Sequence, residues 1–592
     1  MSSPVSEYES RLAFRREQVA TLEKTEDRLA TGRLLCFIFG VVLGIYLFRG
    51  QLPLLYLVIP VVIFIALVAW HLICQDRIAV IRRVIQFYEQ GMRRMRHEWI
   101  GDGNSGESYR VIDHVYARDL DIFGEGSLFE LLCTARTPAG ESTLAQWLLS
   151  GAERDEIQRR QSAVEALRDR VDLREDLGVM GNEIRSQVHP DSLIQWAEST
   201  EIFPAWVQGA SWVCGIAAIV TGLGWAFADW GPIPFFGVIL VEYLVGLSAQ
   251  RAVEGVTGGV SELALELNLI ALAIERFEKE SFEGNCLQQV TQNLSSDGVT
   301  ASRAIRRLEL LVSWLDAKRN QFFAPIAIVL MWDVHLSFFI QRWRGVHGKR
   351  VKLWLSALGE LEALSSLACF SFENPSYPFP VILDEPQRFE GNELGHPLLN
   401  QQECVRNSVS LTATEKVWLV SGSNMSGKST LLRTVGLNTV LALSGAPVCG
   451  SSLTLSCVCL GASIQVYDSL HTGTSRFYAE ISHLKSLLEL SQKEQTFLFL
   501  IDEIFSGTNS HDRRIGATAL IKEFIARESL GLLTTHDLEL TKIAEDTVGV
   551  VRNVHFQDQF ADGKLKFDYR VHEGVVERSN AIELMRSVGL PV

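Results

Sequence analysis

The sequence predicts an α-helical chain with two membrane hairpins and a helical core, closed by a C-terminal α/β domain. Three observations predict it. Apolar runs with almost no charge and near bilayer length come in pairs, within 33–75 and 206–249. Through the rest of 110–370, apolar side chains recur at three- and four-residue spacing with charges between them. From about Gln401, short β-rich runs alternate with helices.

The 592 residues are 47% hydrophobic and carry a formal net charge of -15. That balance excludes a generally basic, DNA-coating protein and leaves a local basic groove open. Ten cysteines are scattered without a CxxC pair. Cys457 and Cys459 share one face of an expected strand, but no further ligands follow at metal-binding spacing, so reduced thiols of a cytosol-facing protein are expected. The N-terminus is charged and helical in pattern, unlike a cleavable signal.

In chain order, residues 1–32 read as a charged helix. Residues 33–75 read as a first hairpin, "LLCFIFGVVLGIYLF" and then "PLLYLVIPVVIFIALVAWHLI". Arg28 and Arg33 precede it and Arg77, Arg82 and Arg83 follow, which places both ends in the cytoplasm. A linker helix is expected over 76–114 and a helical core over 115–375, interrupted by a second hairpin at 206–249. Its "DWGP" turn is acidic and Arg251 follows the second helix, repeating the same orientation. Glu242 inside the fourth span reads either as a structural carboxylate or as an ion site. The apolar run 322–340 holds Asp333 and His335, which favours a buried helix over a fifth span. The chain is thus expected in the cell membrane, multi-pass, with about four transmembrane helices and its C-terminal domain (376–592) in the cytoplasm.

The chemistry is concentrated in that domain. Gly422, Ser423, Asn424, Met425, Ser426, Gly427, Lys428 and Ser429 fit GxxxxGK[ST], with strand "KVWLV" before and helix "STLLRTVGLNTVLALSG" after. Backbone amides of such a loop cradle phosphates, the lysine reaches the β/γ-phosphates and the hydroxyl binds Mg²⁺. "FLFLIDE" reads as a strand ending in Asp502, a second Mg²⁺ group, and Glu503, placed to polarise a water. "GLLTTHD" ends a further strand at His536, within reach of a γ-phosphate. These are the marks of an ATPase using ATP and Mg²⁺, with catalytic roles for Glu503, His536 and Lys428. "TGTSRFYAEISHLKSLLE" reads either as an ordinary capped helix or as a loop meeting the γ-phosphate of an opposite subunit.

The motifs "SGSNMSGKSTLLR", "TGTSRFYAEI", "LIDEIFSGTNSHD", "TTHDLELT" and "SNAIELMRSVGLP" resemble, in order and spacing, the ATPase domain of the MutS family of DNA mismatch-repair proteins. "GSLFELLCTARTPAGESTLAQWLLSG" resembles the start of that family's helical core, or lever. The resemblance implies an ABC-type, MutS-like P-loop ATPase domain working head to head in a homodimer. It implies a phosphate loop from Gly422 through Thr430 and Ser475 as a serine acting in trans. It implies a crossing loop at Thr508, Asn509 and Asp512, a switch histidine at His536, and adenine reading by Asn407.

The departures are informative. Cys404 stands where the family has an adenine-stacking aromatic. A short helix and a hairpin stand where its mismatch-reading domain would be, and the chain ends after "VGLPV", where the family has a helical dimerisation extension. Mismatch reading is therefore not expected, while DNA binding stays open, because lever-type helices can clamp a duplex through its phosphates. Two alternatives carry weight: an ATP-driven membrane switch acting on a protein partner without DNA, and an ABC-transporter-like ATPase. Against the latter, the LSGGQ signature is missing.

Overall fold

A computed structural model describes all residues except 1–2, 51–53, 181–189, 200–203, 259, 283–284, 297–298, 322, 424, 466–475, 493–494, 506–507, 548, 562–563 and 577–592. The chain forms two compact units. One comprises 1–134, 145–179 and 365–592, the other 135–144 and 180–364.

The first unit begins with helices α1 (Pro4–Phe48) and α2 (Val58–Met95). The expected charged helix and first span are one uninterrupted helix of 45 residues, because no breaker separates them. Its two ends obey different rules. In the lower part, α1 and α2 bury Tyr8, Val19, Val84, Phe87 and Tyr88 between them, and ion pairs Arg16–Glu89 and Arg82–Glu23, each 2.7 Å, rim the seam. In the upper part, Leu34, Leu35, Phe37, Phe39, Ile59 and Ile65 stand exposed. An apolar face turned outward all round is stable against lipid, not water.

The hairpin base is clamped. Arg94 holds Glu373 through two hydrogen bonds of 2.6 and 2.8 Å, and the Tyr8 hydroxyl donates to the same carboxylate at 3.4 Å. Gly91 is required here, since a Cβ would lie 2.5 Å from the Tyr8 ring.

In the second unit, α3 (Ala205–Phe227) and α4 (Ile233–Thr257) form the second hairpin. Gly224 lets Trp230 fold back onto α3, for a Cβ there would sit 2.5 Å from the indole. Helices Val260–Glu278 and Ala301–Asp316 follow. The run 322–340 is not one helix. A short helix Ala324–Val329 is followed by a break at Met331, whose φ is +45°, and α5 (Trp332–Glu373) starts afresh. Asp333 pairs with Lys318 at 2.7 Å and His335 lies against Trp212.

Among the described residues, five helices are long and apolar enough to cross a membrane by length and composition. The most apolar stretch of each of α1 to α4 is at most 28% buried, while that of α5 is 83% buried. Burial thus separates α5 from the other four.

After α5 the first unit resumes as two sheets. A four-stranded sheet runs in the order Val381–Leu383, Ser452–Ser456, Phe389–Leu394, Asn407–Leu411. The main sheet contains β1 (Val417–Ser421), β2 (Val458–Ser463), β3 (Thr496–Ile501), β4 (Leu530–Thr535), β5 (Val551–Ala561) and β6 (Lys564–Glu573), in the order β6-β5-β1-β4-β3-β2. The first five are parallel and β6 is antiparallel to β5. Strands β1 and β4 are buried at every residue, as expected of a parallel sheet covered on both faces. Helices α6 (Lys428–Ser444), α7 (Arg476–Leu490) and α8 (Ser510–Ala526) follow β1, β2 and β3 in the chain.

Arg94→Met would strand the Glu373 carboxylate in a buried site, and breaking such a pair costs about 3–5 kcal/mol. Urea unfolding of the detergent-solubilised chain should show that loss. The double variant with Glu373→Met should recover part of it, and an unchanged midpoint in the single variant would make the clamp dispensable.

Candidate functional site

Register places the site. Val417 of β1 lies opposite Gly531 of β4 and Val551 of β5, and Ser421 lies opposite Thr535 and His555. β3 pairs with β4 through Ile501 and Leu533. The segments after β1, β3 and β4 therefore leave from one sheet edge, where the carboxyl ends of parallel strands make a ligand crevice.

After β1 the chain turns through Gly422 (φ +151°) and Gly427 (φ +109°) into the N-terminus of α6. Gly427 needs its freedom, since L residues rarely adopt that φ. A Cβ on Gly422 would lie 2.9 Å from the Ser426 Oγ. Ser423 Oγ and Ser426 Oγ are buried without a hydrogen-bond partner among the described residues. A glycine-lined loop with two unsatisfied hydroxyls at a helix N-terminus is chemistry that suits a polyphosphate. Asn424 lies outside the described residues, and Met425 is exposed at the rim with φ +69°. Thr430 lies in the first turn of α6.

Lys428 Nζ donates to the loop's own carbonyls, Gly422 O at 3.0 Å and Ser423 O at 2.9 Å, and lies 3.4 Å from His536 Nε2. Burial lowers its pKa, while Asp502 and Glu503 pull it back up. Ser429 Oγ donates to Asp502 Oδ2 at 2.5 Å, and the Thr534 hydroxyl donates to the other Asp502 oxygen. The Asp502 amide donates to Ser463 O at 2.8 Å. A hydroxyl and a carboxylate held side by side at the helix start are hard oxygen donors of the kind Mg²⁺ takes. Glu503 stands next in sequence with φ +49°, its amide donating to Thr534 Oγ1 at 3.0 Å and its carboxylate 2.7 Å from His536 Nε2. Both side chains are partly solvent-accessible, so a water can reach them.

The other expected residues are distributed differently. Asn407 opens its strand with its amide already engaged: Nδ2 donates to Tyr569 O at 3.0 Å, and Oδ1 accepts from the Val571 amide at 2.9 Å. Cys404 is half-buried and its sulfur accepts from the His396 amide at 3.3 Å. Asn509 caps α8, accepting from the Asp512 amide at 2.8 Å, with Thr508 just before it. Ser475 lies outside the described residues.

Two residues escaped the sequence reading. Tyr569, on β6 with φ +54° and 45% exposed, brings its ring edge to 3.4 Å from where a Gly427 Cβ would be. It thus puts an aromatic ring beside the loop, whereas Cys404 supplies no aromatic group. Asp119 is buried, and its carboxylate accepts from the Ile464 and Gln465 amides, 2.7 Å each, just after β2. Burial raises its pKa and those two bonds work against the rise. Neither was legible, because both depend on pairing between distant parts of the chain.

Comparison with known proteins bears on this geometry. Residues 418–592 match the family model for MutS domain V. The DNA mismatch repair protein MutS of Thermotoga maritima is 26% identical over 526 residues, 82% of this chain and 65% of its own length. Proteins of the same name from Bacillus velezensis and Aquifex pyrophilus are each 31% identical, over 41% and 40% of this chain and 28% and 27% of their own lengths. The chain thus spans less than two thirds of these relatives. Together the matches relate it to the MutS family.

His396 gives a pH test of this region. Burial, with Arg433 adding to it, pushes its pKa from the ordinary 6.5 down to about 4. Between those values the unfolded chain binds a proton that the folded chain does not, so stability falls as pH drops through that window, by about 3 kcal/mol in all. Denaturant midpoints at pH 7 and 4.5 should differ less in His396→Gln, and an identical pH dependence would refute the assignment.

Proposed function

We propose, from the chain's kinship with the MutS family, that it is a membrane-anchored ATPase working as a head-to-head dimeric switch coupled to DNA. The carrying observation is the convergence of Lys428, Ser429, Asp502, Glu503 and His536 at one sheet edge. The loop from Gly422 to Thr430 takes the phosphates of ATP. Lys428 exchanges its two loop carbonyls for phosphate oxygens. Ser429 and Asp502 hold Mg²⁺, which when bound neutralises charge on the phosphates. Glu503 accepts a proton from the attacking water and His536 orients that carboxylate. Ser475 completes the partner's site, Thr508, Asn509 and Asp512 cross to it, and Asn407 and Tyr569 border the base.

The proposed domain layout is a charged segment at 1–32 continuous with the first hairpin (33–75), a linker at 76–114 whose helical part, to Met95, continues α2 in place of the separate helix expected, a core over 115–375 interrupted by the second hairpin (206–249), and the ATPase domain over 376–592. Membrane anchoring in the cell membrane, with the ATPase domain cytoplasmic, is supported by the outward apolar faces of α1 to α4. Coupling to DNA is supported by the relatives' names, DNA mismatch repair proteins. A second reading, a switch acting on a protein partner without DNA, is favoured by the acidic balance of the chain. The transporter-like reading lacks the family signature at its central loop.

Glu503→Gln should retain ATP binding and lose turnover by about 10²- to 10⁴-fold, the usual worth of a general base. Unchanged hydrolysis in single-turnover assays would refute Glu503 as the base. Homoduplex, mismatched and branched DNA should each be tried on the detergent-solubilised dimer. Stimulated ATPase that weakens steeply with salt is expected for phosphate contacts. No DNA binding at low salt, with ATPase intact, would sink the DNA reading in favour of the protein-partner switch.

A further inference from the structure

The second compact unit contains a cavity of about 670 Å³ that ATP chemistry does not use. Its walls are the middle of α4, the start of α5, the short helix Ala324–Val329 and the turn at Lys318. That volume suits a small organic molecule. Three charged side chains line it: Glu242, Lys318 and Asp333; every other lining residue is uncharged. Lys318 Nζ meets Asp333 Oδ2 at 2.7 Å, so those two cancel. Glu242 is then the one acidic group of the lining without a charged partner among the described residues.

Glu242 is 4% exposed, and neither carboxylate oxygen has a hydrogen-bond partner among the described residues. A buried carboxylate without a partner is costly and calls for a counter-charge. A bare divalent cation would need about six oxygen ligands. Among the described residues, no group of three His, Cys, Asp or Glu is gathered to supply them. The cavity lining instead includes two aromatic residues, Tyr243 and Trp332, and aromatic faces attract organic cations. The remaining wall is mostly aliphatic.

We propose that this cavity binds a lipophilic ammonium, a protonated amine on an apolar body, with Glu242 as its counter-ion. The ammonium sits against Glu242 and the body lies along the aliphatic wall. Tyr243, Leu247 and Ile328 line the cavity and are also exposed, so the cavity opens on the face they form. The route from lipid through that face rests on the membrane-anchored reading, whereas the site itself does not.

The test uses the full chain in phosphatidylcholine nanodiscs and radiolabelled dodecylammonium as probe. Glu242→Gln should weaken binding by about tenfold or more, the loss expected for a charge-assisted contact. Dodecanol, equal in chain and uncharged, should compete poorly. Gly246→Leu provides a second variant: a Cβ there meets nothing within 4 Å, so the side chain is accepted by the helix and fills the cavity. It too should abolish binding. Unchanged circular dichroism and thermal midpoint in both variants report that the chain is folded; should Glu242→Gln fail to fold, Gly246→Leu carries the test. Equal probe affinity in wild type and folded variants, or dodecanol competing on equal terms, would overturn the proposal. Displacement of the probe by phosphatidylethanolamine would assign the ammonium to a lipid headgroup, and undisturbed binding to a free amine. Carbonate extraction of native membranes tests anchoring separately, so the two ideas fail independently.

Discussion

One constraint carries the rest: the register of the buried strand β1 between β4 and β5. Ser421 lies beside both Thr535 and His555, so the phosphate loop and the turn at His536 start at one level. The pairing of β3 with β4 brings Asp502 and Glu503 to that level. A slip of one residue would reverse the faces of every side chain on the strand, and in a sheet buried on both sides the packing forbids it. The side chains of the candidate site are thus positioned by Val417, Leu419, Phe499, Ile501 and Leu533, all buried in one apolar cluster.

Polar bonds then tune what the apolar core positions. Lys428 is held by loop carbonyls, Asp502 by Ser429 and Thr534, and Glu503 by His536. Each of these groups already has the partner whose place a phosphate, a metal ion or a water would take. Ligand arrival exchanges hydrogen bonds instead of creating them from nothing, which lowers the cost of desolvation. Asp119 extends this arrangement outward, tying the start of the core segment to the chain just beyond β2.

Local chemistry made much of this legible. GxxxxGK[ST] between a strand and a helix, and acids at a strand's end, announce themselves because neighbours in sequence are neighbours in space. Asn407 was legible as a position, but not as an amide already bonded to the backbone of β6, 162 residues away. Tyr569 depends on the same remote hairpin. The break at Met331 was invisible because its cause is a single residue with positive φ inside an apolar run. The continuity of α1 was missed for the opposite reason: composition changes at Arg33 while helix propensity does not. Cut by compactness, the chain groups 115–134 and 145–179 with the first unit, a division that no motif marks.

That unbroken helix has a mechanical consequence. Forty-five residues rise about 68 Å, more than twice the thickness of a hydrocarbon core of about 30 Å. Under the proposed anchoring its apolar end would lie in lipid, and with its other end clamped through Tyr8 and Glu373, α1 would be a stiff post of fixed height. Two copies standing in one membrane would carry their nucleotide sites at the same level. Their encounter then becomes a search in two dimensions between matched surfaces, with an effective concentration set by density in the membrane.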